Sequence, residues 1–564
     1  MVSVIVNGIK VDVPDDAPIL SAAAAAGFNL PSLCFHPDLN VKEKCKVCVI
    51  EANGELKTGC SNQVAPGMEI KTFTSKVIDA RRKNLKDILK VHPQDCLNCV
   101  RNENCELQTM TQTMMIRSFE NAPLNLPKDT STPSLVREPA KCIQCGRCVE
   151  VCSDIQTVNA LEIGADGIIS TVGRKPLAET DCVLCGQCSL ACPVGAIYEN
   201  EQIMEFLAAV ADPEKVVVTQ IAPAVRVAIA EEIGMDIGSL GMLEFVTGLR
   251  QIGFDNVFHT NFTADLTIIE EGNELLKRLS TGGTLPMITS CSPGWINFIE
   301  TFYPDQLDHL STCKSPQQMF GSLVKTYWAE KSKVDPSKVY SVSIMPCTAK
   351  KYEASREEMN SSGYRDVDLV LTTREVGRLF RMSGVDFDKA APGQFDSLLG
   401  AYTGAAVIFG ASGGVMEAAL RTVYEVVTKE TLQDVNFTGV RGFDGMKEAE
   451  VDLAGTKVKV AVANSLGNAR KIMEEIKAGT SPYHFIEVMC CPGGCIGGGG
   501  QPIPSTIEKR KERIDAIYAE DAGCGIRKSH ENPEVKIIYD DFLHEPLGHK
   551  SHELLHTHYH ARHK

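Results

Sequence analysis

Two stretches of this sequence repeat one spacing. Cys142-x2-Cys145-x2-Cys148-x3-Cys152 is followed about 40 residues later by Cys182-x2-Cys185-x2-Cys188-x3-Cys192-Pro193. Thiolates at these intervals hold 4Fe-4S cubes, and in paired runs the fourth cysteine of each run ligates the other cube. Crossed ligation assigns Cys142, Cys145, Cys148 and Cys192 to one cube, and Cys182, Cys185, Cys188 and Cys152 to the second. Ser153 stands where a proline usually follows such a run, a difference that touches the turn and not the ligands. The chemistry is electron transfer.

Upstream, Cys34, Cys45, Cys48 and Cys60 (C-x10-C-x2-C-x11-C) suit a 2Fe-2S cluster, with a four-cysteine structural zinc as the competing reading. Between these and the paired runs, His92-x3-Cys96-x2-Cys99-x5-Cys105 offers three thiolates and an imidazole for a further 4Fe-4S cube. A lone histidine is more often an ordinary polar residue, but iron–sulfur motifs on either side turn the reading toward a ligand. The 15 cysteines of the first 192 residues plus His92 make sixteen donors, enough for four clusters with none left over. Such a chain of clusters conducts, so the remaining residues, about 370 of them, must supply or consume the electrons.

The elements that position these ligands follow from the pattern. Val2, Val4, Val6, Val11 and Val13 alternate with polar positions around Asn7-Gly8, a hairpin signature, and an Ala-rich helix follows over Ser21 to Ala26. Four regions result: 1–78, a small sheet; 79–125, helical; 126–198, the paired runs; and 199–564. The last alternates short apolar strands (Val216 to Ile221, Pro286 to Ile288, Ser341 to Met345, Val367 to Thr372, Val458 to Ala463, Phe485 to Met489) with amphipathic helices, the mark of parallel α/β packing. Ligands then sit beyond the carboxyl ends of the strands. Cys291, Cys347, Cys491 and Cys495 fall there, and Gly497 to Gly500 allow close backbone approach. Cys313, Cys490 and Cys524 read as small apolar residues. Gly410-Ala-Ser-Gly-Gly414 before a helix suggests an anion site only weakly, since the P-loop Lys is missing.

Composition bounds the function. The 564 residues are 43% hydrophobic and 23% charged, as in a multidomain globular protein. With 57 Lys+Arg against 72 Asp+Glu, the net charge of −15 gives no footprint for nucleic acid or an anionic membrane. The start MVSVIVNGIKVDV has no signal-peptide pattern, and no apolar run approaches the roughly 18 residues of a membrane span. The expected location is cytoplasmic, where clustered cysteines bind metal rather than form disulfides. Seven of the 13 histidines lie in the last 21 residues (His544, His549, His552, His556, His558, His560, His563), at a spacing that fits no closed metal site; a solvated tail is expected.

The cysteine runs followed by Thr289-Ser-Cys-Ser-Pro-Gly-Trp295, Met345-Pro-Cys-Thr-Ala-Lys-Lys351 and Glu487-Val-Met-Cys-Cys-Pro-Gly-Gly-Cys495 resemble the iron-only (FeFe) hydrogenases, clostridial type with four accessory clusters. Ala264 to Thr267, Lys314 to Gln318, Phe409 to Arg421 and Arg527 to Asn532 add to the likeness. The resemblance implies an α+β multidomain chain: a β-grasp 2Fe-2S ferredoxin-like domain, a His/Cys3 segment, a bacterial-type two-cluster ferredoxin domain and a two-lobed α/β catalytic domain. It implies an H-cluster, a 4Fe-4S cube joined through a cysteine sulfur to a two-iron unit carrying CO, cyanide and an azadithiolate. By position, Cys347, Cys491 and Cys495 match cube ligands, Cys495 being the shared one. Lys350 matches a cyanide partner, Met345 and Met489 the methionines packed on the two-iron unit, and Gln317 a polar neighbour, with Ala222 and Pro223 beside the cluster. Glu274, Ser311 and Glu353 match an outer proton relay.

Two departures stand out. The family pattern TSCCP, whose first cysteine relays protons while the second ligates the cube, is here Cys291-Ser292. Either Cys291 relays and Ser292 takes the ligand position, or a shifted loop makes Cys291 the ligand. Ala224 replaces a serine near a cyanide, the loss of a hydrogen bond worth about 1 kcal/mol. The activity implied is reversible reduction of protons to H2, with ferredoxin or flavin- and NAD(P)-binding subunits as electron partners and maturation proteins to build the cluster. The alternatives are a hydrogen-sensing relative of low activity, suggested by Ser292, and a non-catalytic electron carrier, against which Lys350, Glu353 and Glu274 argue.

Overall fold

The computed structural model describes residues 1–453 and 455–562; His563 lies outside them. Strands β1 (Val2–Val6), β2 (Ile9–Val13), β3 (Val49–Ala52), β4 (Glu55–Thr58) and β5 (Glu69–Lys71) form one sheet of order β2-β1-β5-β3-β4, in which β1 and β5 run parallel. Asn7 (φ 48°) and Gly8 (φ 86°) make the two-residue turn between β1 and β2, whose left-handed residues match the twist of the strands. Ala22 and Ala23 of the helix Ile19–Ala25 pack on Val4, Val6, Ile50 and Ile70. The helix Ser75–Val91, capped by the Thr74 hydroxyl, leads to the His92 segment. Leu33, Leu85, Leu107 and Val194 share one core, so the first three cluster-bearing regions pack as one body.

In the paired-run region, β6 (Leu135–Arg137) pairs with β9 (Ile197–Glu199), and β7 (Leu161–Ile163) with β8 (Ile169–Thr171). Each cysteine run enters a short helix through a left-handed glycine, Gly146 (φ 84°) or Gly186 (φ 72°), so the repeat in the sequence is a repeat in the backbone.

The rest of the chain holds two four-stranded sheets. In the first, β10 (Val216–Ile221), β11 (Asn256–His259), β13 (Val339–Met345) and β14 (Leu369–Thr372) are all parallel in the order β11-β10-β13-β14. In the second, β12 (Met287–Ile288), β17 (Phe485–Met489), β16 (Thr456–Asn464) and β15 (Met446–Leu453) lie in that order, with β15 antiparallel. The sequence pattern shows six of these eight strands; β11 and β15 escape it because each carries polar residues at alternate or terminal positions. No described helix is long and apolar enough to cross a membrane.

The C-terminal segment lies along the surface with its described histidines exposed, except His556, which is buried. The helix His549–Leu555 buries Leu554 and Leu555, His556 pairs with Cys313 in an isolated bridge, and Tyr559 donates to the Ser311 carbonyl. Its histidines alternate with apolar anchors that a histidine count conceals.

Candidate metal centre

The cysteines expected to hold the accessory clusters gather in four groups. Cys34, Cys45, Cys48 and Cys60 are buried at the edge of the first sheet, with the Cys48 and Cys60 sulfurs 3.3 Å apart. Hydrogen bonds from Cys45 and Cys60 hold the Cys34 thiol far below its ordinary range. His92 has a buried Nδ1 with no hydrogen-bond partner, an orphan that a metal would satisfy. Cys105 Sγ lies 3.8 Å from the Pro193 carbonyl, and Cys99 Sγ presses on Gly195, where a Cβ would stand only 2.6 Å away.

The paired runs close two cavities. Cys142, Cys145, Cys148 and Cys192 line one, and Cys152, Cys182, Cys185 and Cys188 line the other. The grouping is the crossed one. Backbone N–H groups aim at the sulfurs symmetrically: Gln144 at Cys142 and Leu184 at Cys182, each at 3.4 Å.

A third cavity opens where the two four-stranded sheets meet, and it is roomier than either cube cage. Cys291 follows β12, Cys347 follows β13, and Cys490, Cys491 and Cys495 follow β17, so the strand ends deliver five thiols to one hollow. Met345, Met489, Ala222, Pro223, Gln317, Lys350 and Ser292 complete its wall as the sequence suggests. Ala224 lies just behind, its carbonyl accepting from Gln501 at 2.9 Å. A Cβ on Gly498 or Gly499 would collide with the carbonyls of Pro346 or Cys185, which explains the glycine run after Cys495. Gln317 Oε1 is buried without a partner, a polar atom left for a ligand. The donor sets, cavity sizes and orphan atoms fit the iron–sulfur groups.

Lys350 Nζ donates to Glu353 Oε2 at 2.8 Å and to the Cys291 carbonyl at 3.1 Å. Glu353 also accepts from Ser315 (2.9 Å) and Gln317 Nε2 (3.0 Å). The structure therefore places Glu353 as the anchor of Lys350 and Gln317, apart from the Glu274–Ser311 pair with which the sequence reading grouped it. Ser311 Oγ donates to Glu274 Oε2 at 3.0 Å, and Glu274 pairs with Arg278 at 2.6 Å toward the surface.

The carboxyl on the inner side of Ser311 is Glu271, which the sequence reading missed. Burial, and then the charge of Glu274, push Glu271 up to about 8. Burial also holds the Cys291 thiol, which faces Glu271, well above its usual range. The available signal was spacing: Glu271 and Glu274 sit at i and i+3 of the helix Thr260–Thr281, on one face.

Two other readings change. The Gly410–Gly414 turn is no anion site, because Glu487 fills it, accepting from Gly413 N (2.6 Å) and Met416 N (2.7 Å). Cys490 is no ordinary core residue, since it lines the large cavity.

Residues 215–499 match the family described as iron only hydrogenase large subunit, C-terminal domain, and residues 507–562 the iron hydrogenase small subunit. Residues 1–75 match a 2Fe-2S iron-sulfur cluster binding domain, 81–119 the NADH-ubiquinone oxidoreductase-G iron-sulfur binding region, and 141–196 a 4Fe-4S dicluster domain. The NADP-reducing hydrogenase subunit HndD of Solidesulfovibrio fructosivorans is 44% identical, the match covering 100% of this chain and 99% of that protein. Iron hydrogenase 1 of Clostridium pasteurianum is 39% identical over 99% of this chain and 100% of its own length. A solved apo FeFe-hydrogenase variant from Chlamydomonas reinhardtii superposes with a TM-score of 0.58 at 43% identity, covering 64% of this chain and 99% of that one.

Proposed function

The chain belongs to the iron-only hydrogenases, and from that premise we propose which of its residues perform each part of the reaction. It is an FeFe hydrogenase with accessory iron–sulfur domains. One 2Fe-2S cluster sits at Cys34, Cys45, Cys48 and Cys60, one 4Fe-4S cube at His92, Cys96, Cys99 and Cys105, and two cubes in the paired-run cages. The large cavity takes the H-cluster, with Cys347, Cys491 and Cys495 among its ligands. When bound, that group supplies the exchange of electrons with protons that forms or splits H2.

The protein moves the protons. Cys291, with its thiol kept protonated by burial, donates into the cavity and is recharged by Glu271. Ser311 links Glu271 to Glu274, and Arg278 holds Glu274 where it meets solvent. A glutamate that titrates near operating pH gives and takes protons with little penalty either way. Lys350, fixed by Glu353, presents a positive N–H donor to the cavity, where charge acts strongly because Met345, Met489 and Phe409 exclude water.

Electrons travel through the clusters. One paired-run cage, that of Cys152, Cys182, Cys185 and Cys188, abuts the large cavity directly: Cys185 lines both, and Thr348 donates to the Leu184 carbonyl at 2.9 Å. The His92–Cys105 set reaches the surface at Cys96, which is exposed. This chain carries no dinucleotide fingerprint, and its full-length likeness to a subunit of an NADP-reducing hydrogenase supports work beside a flavin- or NAD(P)-binding subunit or a ferredoxin. Maturation proteins are needed to build the two-iron unit.

The observation that carries this reading is the hollow lined by six cysteines and Lys350, one of the six shared with the neighbouring accessory cage. Infrared spectra of the anaerobically matured protein under argon and then H2 test it. CO and cyanide bands that shift with H2 are expected; their absence, with iron for conventional clusters only, would overturn it.

A further inference from the structure

Six cysteines line the large cavity; Cys185 also lines the neighbouring accessory cage, and the other five are one more than a cube requires, while the position expected for one ligand is Ser292. The surplus and the deficit lie side by side. Ser292 Oγ accepts from the Cys490 backbone N–H at 3.3 Å, and the Cys490 sulfur lies against Gly294, where a Cβ would stand 2.7 Å from it. The sulfur thus reaches the start of the helix Pro293–Phe302, the place from which a cysteine at 292 would present its own.

The wall of the cavity separates the two candidates for the missing ligand. Cys291 packs with Cys495, Met489, Phe409 and Ala264 on one side. Cys490 packs with Cys491, Cys185 and Trp295 on the other, the side that faces the nearest accessory cage. Cys490 does not line that accessory cage, whose four positions Cys152, Cys182, Cys185 and Cys188 already fill. Its thiol hydrogen-bonds with the sulfurs of Cys185 and Cys491, and because the cage positions are already filled it is the large cavity that can take it. The Cys291 carbonyl is tied to Lys350 at 3.1 Å, which holds its loop in place and leaves its thiol on the Glu271 side.

We propose that Cys490 is the fourth cysteine ligand of the catalytic cube, replacing the residue at 292, and that Cys291 keeps the proton-relay role. The inference rests on the hydrogenase reading above. On binding iron the Cys490 thiol loses its proton to solvent and the sulfur forms the Fe–S bond, so no oxidant or reductant is consumed. A thiolate is also the better ligand for iron–sulfur chemistry than a serine alkoxide. The cysteine has moved from the end of β12 to the end of its neighbour β17, while the sulfur keeps its place beside the helix start. Ser292 becomes a helix-start residue whose hydroxyl braces the Cys490 backbone. The Cys–Ser pair then leaves both roles filled by sulfur.

The test compares Cys490→Ala, Cys291→Ala and the double exchange Ser292→Cys/Cys490→Gly in anaerobically matured full-length protein. Iron content, electron paramagnetic resonance of the reduced clusters and infrared bands are read beside H2 evolution. Cys490→Ala is expected to lose about six irons per chain, the cube's four and the two of the unit attached to it, together with the CO and cyanide bands, while the signals of the accessory cubes stay. Cys291→Ala is expected to keep iron and bands while H2 evolution falls at least ~100-fold. The double exchange is expected to restore iron, bands and turnover, which also guards against a Cys490 variant that merely misfolds. Full iron and unchanged bands in Cys490→Ala, or loss of the cube in Cys291→Ala, would overturn the assignment. Should the parent protein itself show no CO or cyanide bands, the hydrogenase reading fails instead, and the iron counts still decide which cysteine holds the cube.

Discussion

The paired-run cages and the large cavity both gather cysteines around iron, yet they are built on opposite plans. In the cages three of four ligands sit within seven residues of chain, and the walls are close and apolar. In the large cavity the ligands arrive from the ends of three strands in two sheets, and a lysine, a glutamine and two methionines share the wall. Passing an electron needs only a tight insulated cage of fixed potential. Making H2 needs space beside the metal, a fixed positive donor and a route for protons, none of which one short loop provides.

Breaking the large cavity should cost most. Cys347→Ala removes a ligand that no neighbouring chain segment replaces, and dye-driven H2 evolution is expected to fall to background; retained turnover would mean the cavity is not where H2 forms. Next comes the proton path. Glu271→Gln is expected to lower turnover by about 10²–10⁴ with iron content and infrared bands unchanged, whereas the same change at Glu353 should alter the cyanide bands through Lys350.

A cage variant sharpens the contrast from the other side. Cys182→Ala is expected to impair H2 production driven by a protein electron donor more than that driven by a small dye, which can reach inner clusters. Equal losses with both donors would show that the cage contributes to the catalytic cavity rather than to conduction.

Titration of Glu271 gives a subtler effect. Its ordinary value is 4.5 and burial raises it to about 8, so between those values the folded chain holds a proton that the unfolded chain has released. Its contribution to stability is therefore present at low pH and declines as pH rises through that window. Thermal unfolding at pH 5.5 and 8.5 should show a smaller difference in Glu271→Gln than in the parent.

The smallest change concerns the C-terminal strap. His556 Nε2 lies 3.2 Å from the buried Glu270 and its Nδ1 2.8 Å from Thr312 Oγ1. His556→Ala is expected to destabilise the chain by about 1–3 kcal/mol, read as a lowered unfolding temperature, with cluster content intact.

Much of this was legible in the residues. The crossed grouping of the paired runs followed from spacing, because three ligands on one loop leave geometry little freedom. The hairpin at Asn7-Gly8 was legible for the same local reason. Cys490 was not, since a lone cysteine after a strand looks like core until its sulfur is seen beside Ser292. Glu271 was hidden because a helix buried on nearly every face offers no polar stripe to read. Glu353 was misgrouped with Glu274 because chain order does not reveal which carboxylate turns toward Lys350.

The sequence by itself determined that the chain carries iron–sulfur domains and the class of enzyme to which it belongs, for these rest on donor types at short fixed intervals. Only the tertiary structure decided which thiols face one another across the large cavity, which glutamate meets Ser311, and that the histidine-rich end is strapped to the protein. Those depend on residues tens to hundreds of positions apart, brought together by the packing of two sheets around a common hollow.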